Sequence, residues 1–113
     1  MIYHILSKQT WLITQHLGIY ETTSLKDQGF IHCSSEEQVL RVANTWYKEQ
    51  DDLIVLEIDP AQLKPEVRWE PGVDKMDESF PHIYGRMNLD AVIRVLDLDK
   101  TPEGLFTWNN KIK

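Results

Sequence analysis

The run Leu53-Ile54-Val55-Leu56-Glu57-Ile58, closed by Asp59-Pro60, is the strongest constraint on what this chain can become. Four consecutive apolar residues, then an apolar side chain on each side of one glutamate, make a strand of ordinary length that must be buried in a sheet. Neighbouring strand side chains point to opposite faces, so Glu57 faces either water or a buried polar partner. The run is also the longest apolar stretch in the chain, and it falls far short of the roughly 20 residues that a membrane-spanning helix requires. A chain of 113 residues has room for one hydrophobic core and needs neither disulfide nor metal to build it. We therefore expect a single domain over residues 1–113.

Other elements arrange themselves around that strand. Ile2 to Leu6 is short, apolar and β-prone. Ser7 caps a helix running to about residue 16, with Trp11, Leu12 and Ile13 turned inward and Gly18 as its stop. Residues 21–28 are polar and read as a loop, and Gly29-Phe30-Ile31-His32-Cys33 reads as a second strand. Ser34 and Ser35 are candidate caps for the best helix. Glu37, three residues after Ser34, completes a capping box, and Val39, Leu40, Val42, Ala43, Trp46 and Tyr47 form an apolar stripe at helical spacing. After the central strand come a single turn at residues 60–63, a short strand at Val67-Arg68-Trp69, and an irregular, mobile stretch over 72–81. His82-Ile83-Tyr84-Gly85, a turn at 88–91 and a last strand at 91–98 follow. Leu105, Phe106 and Trp108 pack the tail onto the body. Helices do not alternate regularly with strands, which argues against a doubly wound parallel sheet. The expected fold is α+β, with a curved, split, mixed or antiparallel sheet flanked by two main helices.

Charge and cysteine content narrow the function classes. Twelve basic against eighteen acidic residues leave a net charge of −6, which disfavours a broad nucleic-acid-binding face. A single cysteine, Cys33, cannot form an internal disulfide and suits a reducing compartment. The N-terminal segment lacks the basic start and long apolar core of a secretory leader. A cytoplasmic location without a membrane partner is the expectation. Gly-rich phosphate loops, His-Glu-x-x-His and paired Cys-x-x-Cys motifs are all missing, so a Rossmann, P-loop or zinc-protease function has no support. Asp74, Asp77 and Glu78 lack the spacing of a calcium loop. No metal site is expected.

The chemistry-bearing candidates are histidines. His4, His32 and His82 each lie in or beside a strand, and imidazole serves as acid, base or neutral donor near neutral pH. Two-residue spacing puts His32 with Ser34, and His82 with Tyr84, on common faces. Glu70, before Pro71-Gly72, is the candidate carboxylate. Trp69 and Tyr84 border these polar groups and suit stacking on a ring-bearing ligand; for Trp69 core packing is the preferred reading. Cys33 reads as a buried structural thiol, and His16 as a helix-end residue.

Met-Ile-Tyr-His-Ile at the start, Gly-Phe-Ile-His-Cys-Ser after the polar loop and Phe-Pro-His-Ile-Tyr-Gly later resemble the Domain of Unknown Function 952 family, over nearly the whole chain to about Leu98. That family is distantly similar to the ADP-ribosyltransferase-like fold, which includes the RNA 2′-phosphotransferases. The resemblance implies a small split sheet with a cleft for NAD or a related nucleotide, and an NAD-dependent transfer of an ADP-ribosyl or phosphoryl group. It makes His4, after Tyr3, a donor to a ribose hydroxyl, and His32 with Ser34 the second polar pair. For the glutamate that stabilises a ribosyl cation, Glu70 is the nearest match, with His82 in the same region. Catalytic candidates are thus His4, His32, Glu70 and His82; ligand-binding candidates are Ser34, Trp69 and Tyr84. Two alternatives stand beside this. His32-Cys33-Ser34, with His82-Ile83-Tyr84 as an imperfect second copy, has the His-x-Ser form of two-histidine phosphoesterases. The domain could instead bind a metabolite or protein without catalysis.

Overall fold

A computed structural model of the chain describes residues 1–72 and 76–108. In chain order it contains β1 (Ile2–Ser7), α1 (Lys8–Leu17), β2 (Ile19–Tyr20), α2 (Thr23–Gln28), β3 (Ile31–His32), α3 (Glu36–Trp46), β4 (Leu53–Ile58), β5 (Glu66–Pro71), β6 (Ser79–Tyr84), β7 (Met87–Asn88), β8 (Val92–Lys100) and β9 (Phe106–Trp108). Short 3-10 turns occupy Pro60–Gln62 and Leu89–Ala91. The strands form a four-stranded sheet in the order β1-β4-β8-β9, a three-stranded sheet β3-β6-β5 and the pair β2-β7.

β4 is the apolar run, and all six of its residues are buried. It lies between β1 and β8. The two faces of β1 and β4 go to two separate cores. Ile2, Leu6, Ile54, Leu56 and Ile58 join Ile31, Ile83 and Met87 on one side. Tyr3, Ile5, Leu53 and Val55 meet Val39 and Ala43 of α3 on the other. Each fully buried Leu or Ile contributes about 1.5–3 kcal/mol, so this two-sided burial dominates the stability of the fold. The expected α+β class holds, and the sheet is split. It is not mixed: every strand pair among the described residues is antiparallel. A parallel neighbour requires a crossover that returns the chain in the same direction, and no two paired strands here are joined that way. The two larger sheets meet at a single bridge, where Tyr3 and Ser34 exchange backbone hydrogen bonds of 2.8 Å.

That bridge moves a helix start. The capping box is built by Ser35 and Gln38, not by Ser34 and Glu37, because the Ser34 backbone is already committed to the sheet. Trp46, placed by its spacing in the apolar stripe, ends the helix exposed. Residues 21–28, expected as loop, contain α2, with Thr22 capping its start and Gly29 ending it at φ +90°. Two main helices were expected; the described residues hold three. In α1 the Ser7 cap and the Gly18 stop are as expected, but the inward face is not. Trp11 is half-buried and Thr14 buried, while Leu12 and Ile13 are 59% and 54% exposed. α1 lies against β1 along one narrow stripe, which positions three apart can fill. Within the stretch expected to be irregular over 72–81, β6 already begins at Ser79. Asp74 lies outside the described residues. At the tail, Phe106 is buried and Leu105 exposed. No helix among the described residues is long and apolar enough to cross a membrane.

Candidate functional site

The three-stranded sheet has one apolar and one polar face, and its register decides which side chains share the polar one. β6 pairs with β3 so that His82 stands opposite His32, and with β5 so that it stands opposite Arg68. Alternation then puts Glu66, Arg68 and Glu70 on the same face as Phe80, His82 and Tyr84. Ile31, Val67 and Ile83 turn to the core.

Glu70 is the hub of this face. His82 is only 2% exposed, and its Nδ1 lies 2.8 Å from Glu70 Oε1. A carboxylate can only accept, so Nδ1 carries the proton and donates. The Tyr84 hydroxyl donates to the same oxygen. Together the Tyr84 and His82 hydrogen bonds hold the Glu70 carboxyl below its ordinary range. Phe30 stacks on the His82 ring at 3.9 Å between centroids, and the Arg68 guanidinium lies 4.5 Å above the Tyr84 ring. His82 Nε2 has no hydrogen-bond partner among the described residues. The imidazole is thus fixed at Nδ1 and has no described partner at Nε2.

Beside this face lies a cleft of about 440 Å³ between α3 and the strands, lined by Tyr3, Ser34, Arg41, Trp46, Tyr47 and Phe80, with His32 also on its wall. Its floor is fixed from below. The Tyr3 hydroxyl donates to Glu57 at 2.8 Å, and Arg94 Nε donates to the other Glu57 oxygen at 2.8 Å. Burial opposes ionisation of Glu57, but the Arg94 and Tyr3 hydrogen bonds outweigh it and keep the carboxyl below its ordinary range. Glu57 therefore takes the buried-partner option. Across the cleft, Arg41 and Gln38 of α3 both bond Glu78, just before β6.

Of the candidates read from sequence, the structure brings together His32, Glu70, His82 and Tyr84, and it sets Ser34 in the adjoining cleft. The rings of His32 and His82 are 5.6 Å apart. Burial, and then His82 nearby, push the His32 imidazole below its ordinary pKa; its Nε2 bonds Gln28 at 2.7 Å. His4 does not join them. It shares the inward face of β1 with Ile2 and Leu6, while Tyr3 and Ile5 face the cleft. Its Nδ1 bonds the His32 carbonyl at 2.6 Å and its Nε2 the Tyr20 hydroxyl at 2.7 Å. Trp69 alternates to the face opposite Glu70 and is 54% exposed, so it is not the core residue expected, and it and Tyr84 cannot clasp one ring. Cys33 is a buried free thiol whose pKa burial pushes up. Phe30, Arg68 and Arg41 were not read from the sequence as site residues. Two-residue spacing from His32 and Glu70 could have pointed to Phe30 and Arg68; nothing local pointed to Arg41.

Comparison with known proteins adds a family and a fold. The model of a family described as "Protein of unknown function (DUF952)" matches residues 5–95. The crystal structure of protein CC0527 from Caulobacter crescentus is 31% identical, with a TM-score of 0.82 over 94% of this chain and 92% of that one. The solution NMR structure of the same bacterial protein superposes with a TM-score of 0.79 at 31% identity, over 92% and 89%. No curated protein matches the chain.

Proposed function

The chain belongs to the DUF952 family, and from that premise we propose that it binds a nucleotide of the NAD or ADP-ribose type in the aromatic cleft, as the resemblance to ADP-ribosyltransferase-like domains implies. One observation carries this reading: a cleft of about 440 Å³ walled by Tyr3, Trp46, Tyr47 and Phe80 has His32 on its wall, and His32 stands opposite His82, which bonds Glu70. Small-molecule sites are typically about 300–1,000 Å³, apolar or aromatic with a few convergent polar groups. The fit to a dinucleotide comes from those rings and from the polar side chains of His32 and Ser34 on the wall. His4 contributes nothing to it, since both its nitrogens are engaged away from the cleft. In a transfer at the ribose carbon, Glu70 is the carboxylate suited to face developing positive charge. His82 Nε2 is the atom suited to take the acceptor's proton.

A second reading rests on the register. His32 and His82 stand directly opposite on the paired strands β3 and β6, with Tyr84 two residues on in β6 and Ser34 two residues past His32 on the cleft wall, an arrangement that suits a two-histidine phosphoesterase.

Thermal unfolding with NAD, ADP-ribose and a 2′,3′-cyclic nucleotide separates the two. A ligand at about 100 times its Kd adds roughly 2.7 kcal/mol, or on the order of 4–8 °C in midpoint for a domain near this size. The expected result is a rise with NAD or ADP-ribose that shrinks in Trp46→Ala, whose exposed ring can be removed without opening the core. A rise with the cyclic nucleotide alone selects the phosphoesterase. No rise with any of the three refutes nucleotide binding.

A further inference from the structure

We propose that Arg68, His82 and His32, which stand side by side across β5, β6 and β3, form a subsite for a phosphate ester. For the rest of the ligand this builds on the reading of the cleft as a nucleotide site; the row itself stands on the sheet geometry.

The pairing places the three residues in one line perpendicular to the strands. Directly opposed side chains in an antiparallel pair lie about 4.5–5.5 Å apart at Cβ. One phosphate group, with several acceptor oxygens, can therefore meet the Arg68 guanidinium and both imidazoles, each ring donating from its remaining nitrogen once it takes up a second proton with the anion. Each member has a nitrogen left for it. Arg68 engages Glu66 through Nε and Nη2, which leaves Nη1. His82 engages Glu70 through Nδ1, which leaves Nε2. His32 engages Gln28 through Nε2, which leaves Nδ1.

The surroundings hold these groups in place. The Tyr84 ring carries the Arg68 guanidinium, and its hydroxyl anchors Glu70, which in turn fixes His82. Phe30 stacks on His82 and meets His32 edge-on at 4.8 Å. Ring orientations are thus set before a ligand arrives, and the cost of ordering them is removed from binding. The carboxylates on this face are engaged by donors: Glu66 by Arg68, and Glu70 by Tyr84 and His82. Planar guanidinium is well matched to phosphate oxygens. Arg68 is the fixed positive charge of the row; Glu66 is paired to it and Glu70 is held by Tyr84 and His82. His32 belongs to both the row and the cleft wall, so a phosphate here and a base among the cleft aromatics can belong to one ligand.

The test is a titration with inorganic pyrophosphate at fixed pH and ionic strength, following the imidazole resonances of all four histidines by NMR. Expected are saturable shifts of His32 and His82, with His16 unmoved. Arg68→Gln, at a half-exposed site, should weaken this binding about tenfold or more, the worth of a hydrogen bond to a charged group. Arg68→Lys should restore part of it, and Lys8→Gln, which removes a cation of α1, should change nothing. Unmoved His32 and His82, equal shifts at His16, or undiminished binding in Arg68→Gln would each overturn the subsite. AMP and adenosine then separate this from the nucleotide reading. Pyrophosphate binding without any binding of AMP or adenosine upholds the row and ends the nucleotide proposal. Equal affinity for AMP and adenosine keeps the nucleotide and ends the row.

Discussion

His4 and His82 are both strand histidines, 6% and 2% exposed, and they have been put to opposite uses. His4 spends both nitrogens inside the protein. Its Nδ1–H donates to the His32 carbonyl, which leaves Nε2 to accept from the Tyr20 hydroxyl. It thereby ties β1 to β2 and β3. His82 spends one nitrogen on a half-exposed carboxylate and has no partner among the described residues at the other. Burial is the same; what differs is the second nitrogen. The sheets that carry them differ likewise. β1 and β4 bury both faces, whereas β3, β6 and β5 bury one and keep polar side chains on the other.

The largest expected effect tests that difference between sheets. Leu56→Ala, in the fully buried β4, should cost about 3 kcal/mol, within the usual 2–5 for such a truncation. Val67→Ala in β5, half-buried, should cost clearly less. Urea unfolding of both variants measures it, and equal losses would erase the distinction.

Protonation tests the histidines. Burial lowers the pKa of His4 from 6.5 to about 4. Between those values the unfolded chain binds the proton and the folded one does not. The neutral His4 thus contributes stability that is complete above about pH 6.5 and lost as pH falls to about 4, a total on the order of 3 kcal/mol. His4→Gln can keep one donor and one acceptor but cannot titrate. Across that window wild type should lose stability faster than His4→Gln; parallel curves would show that His4 is not the proton-excluding group.

The smallest effect on stability belongs to Glu70→Gln. This carboxylate is partly exposed, and the unfolding midpoint should stay close to that of wild type. The local effect is large, however. Nitrogen-15 spectra of the His82 ring should show the proton on Nδ1 in wild type and a redistribution toward Nε2 in the variant. A variant that unfolds readily, or an unchanged ring, would make the pair a structural one like that of His4.

Much of the frame was legible because it follows local rules. The apolar run marked β4, helical spacing marked α3, and Ser7 and Gly18 marked the ends of α1. Where the reading failed, a longer-range contact had overruled the local signal. Ser34 looked like a cap but is held by Tyr3. Leu12 and Ile13 looked inward, but the sheet reaches only the Trp11–Thr14 stripe. α2 has Leu25 as its single apolar side chain, so it offered no periodicity to read. Within the site, two-residue spacing correctly paired His82 with Tyr84, and both meet Glu70. It could not tell that His4, in the same kind of strand, is turned away.

The amino-acid sequence by itself determined that strands and helices form at these places and which side chains alternate toward a core, because periods of two and 3.6 are properties of the local backbone. Only the tertiary structure decided that Arg68, His82 and His32 stand in one row and that His4 does not. Register between strands distant in the chain is set by how Ile31, Ile83 and Val67 fit together in a shared core. A slip of one residue would send every one of these side chains to the other face.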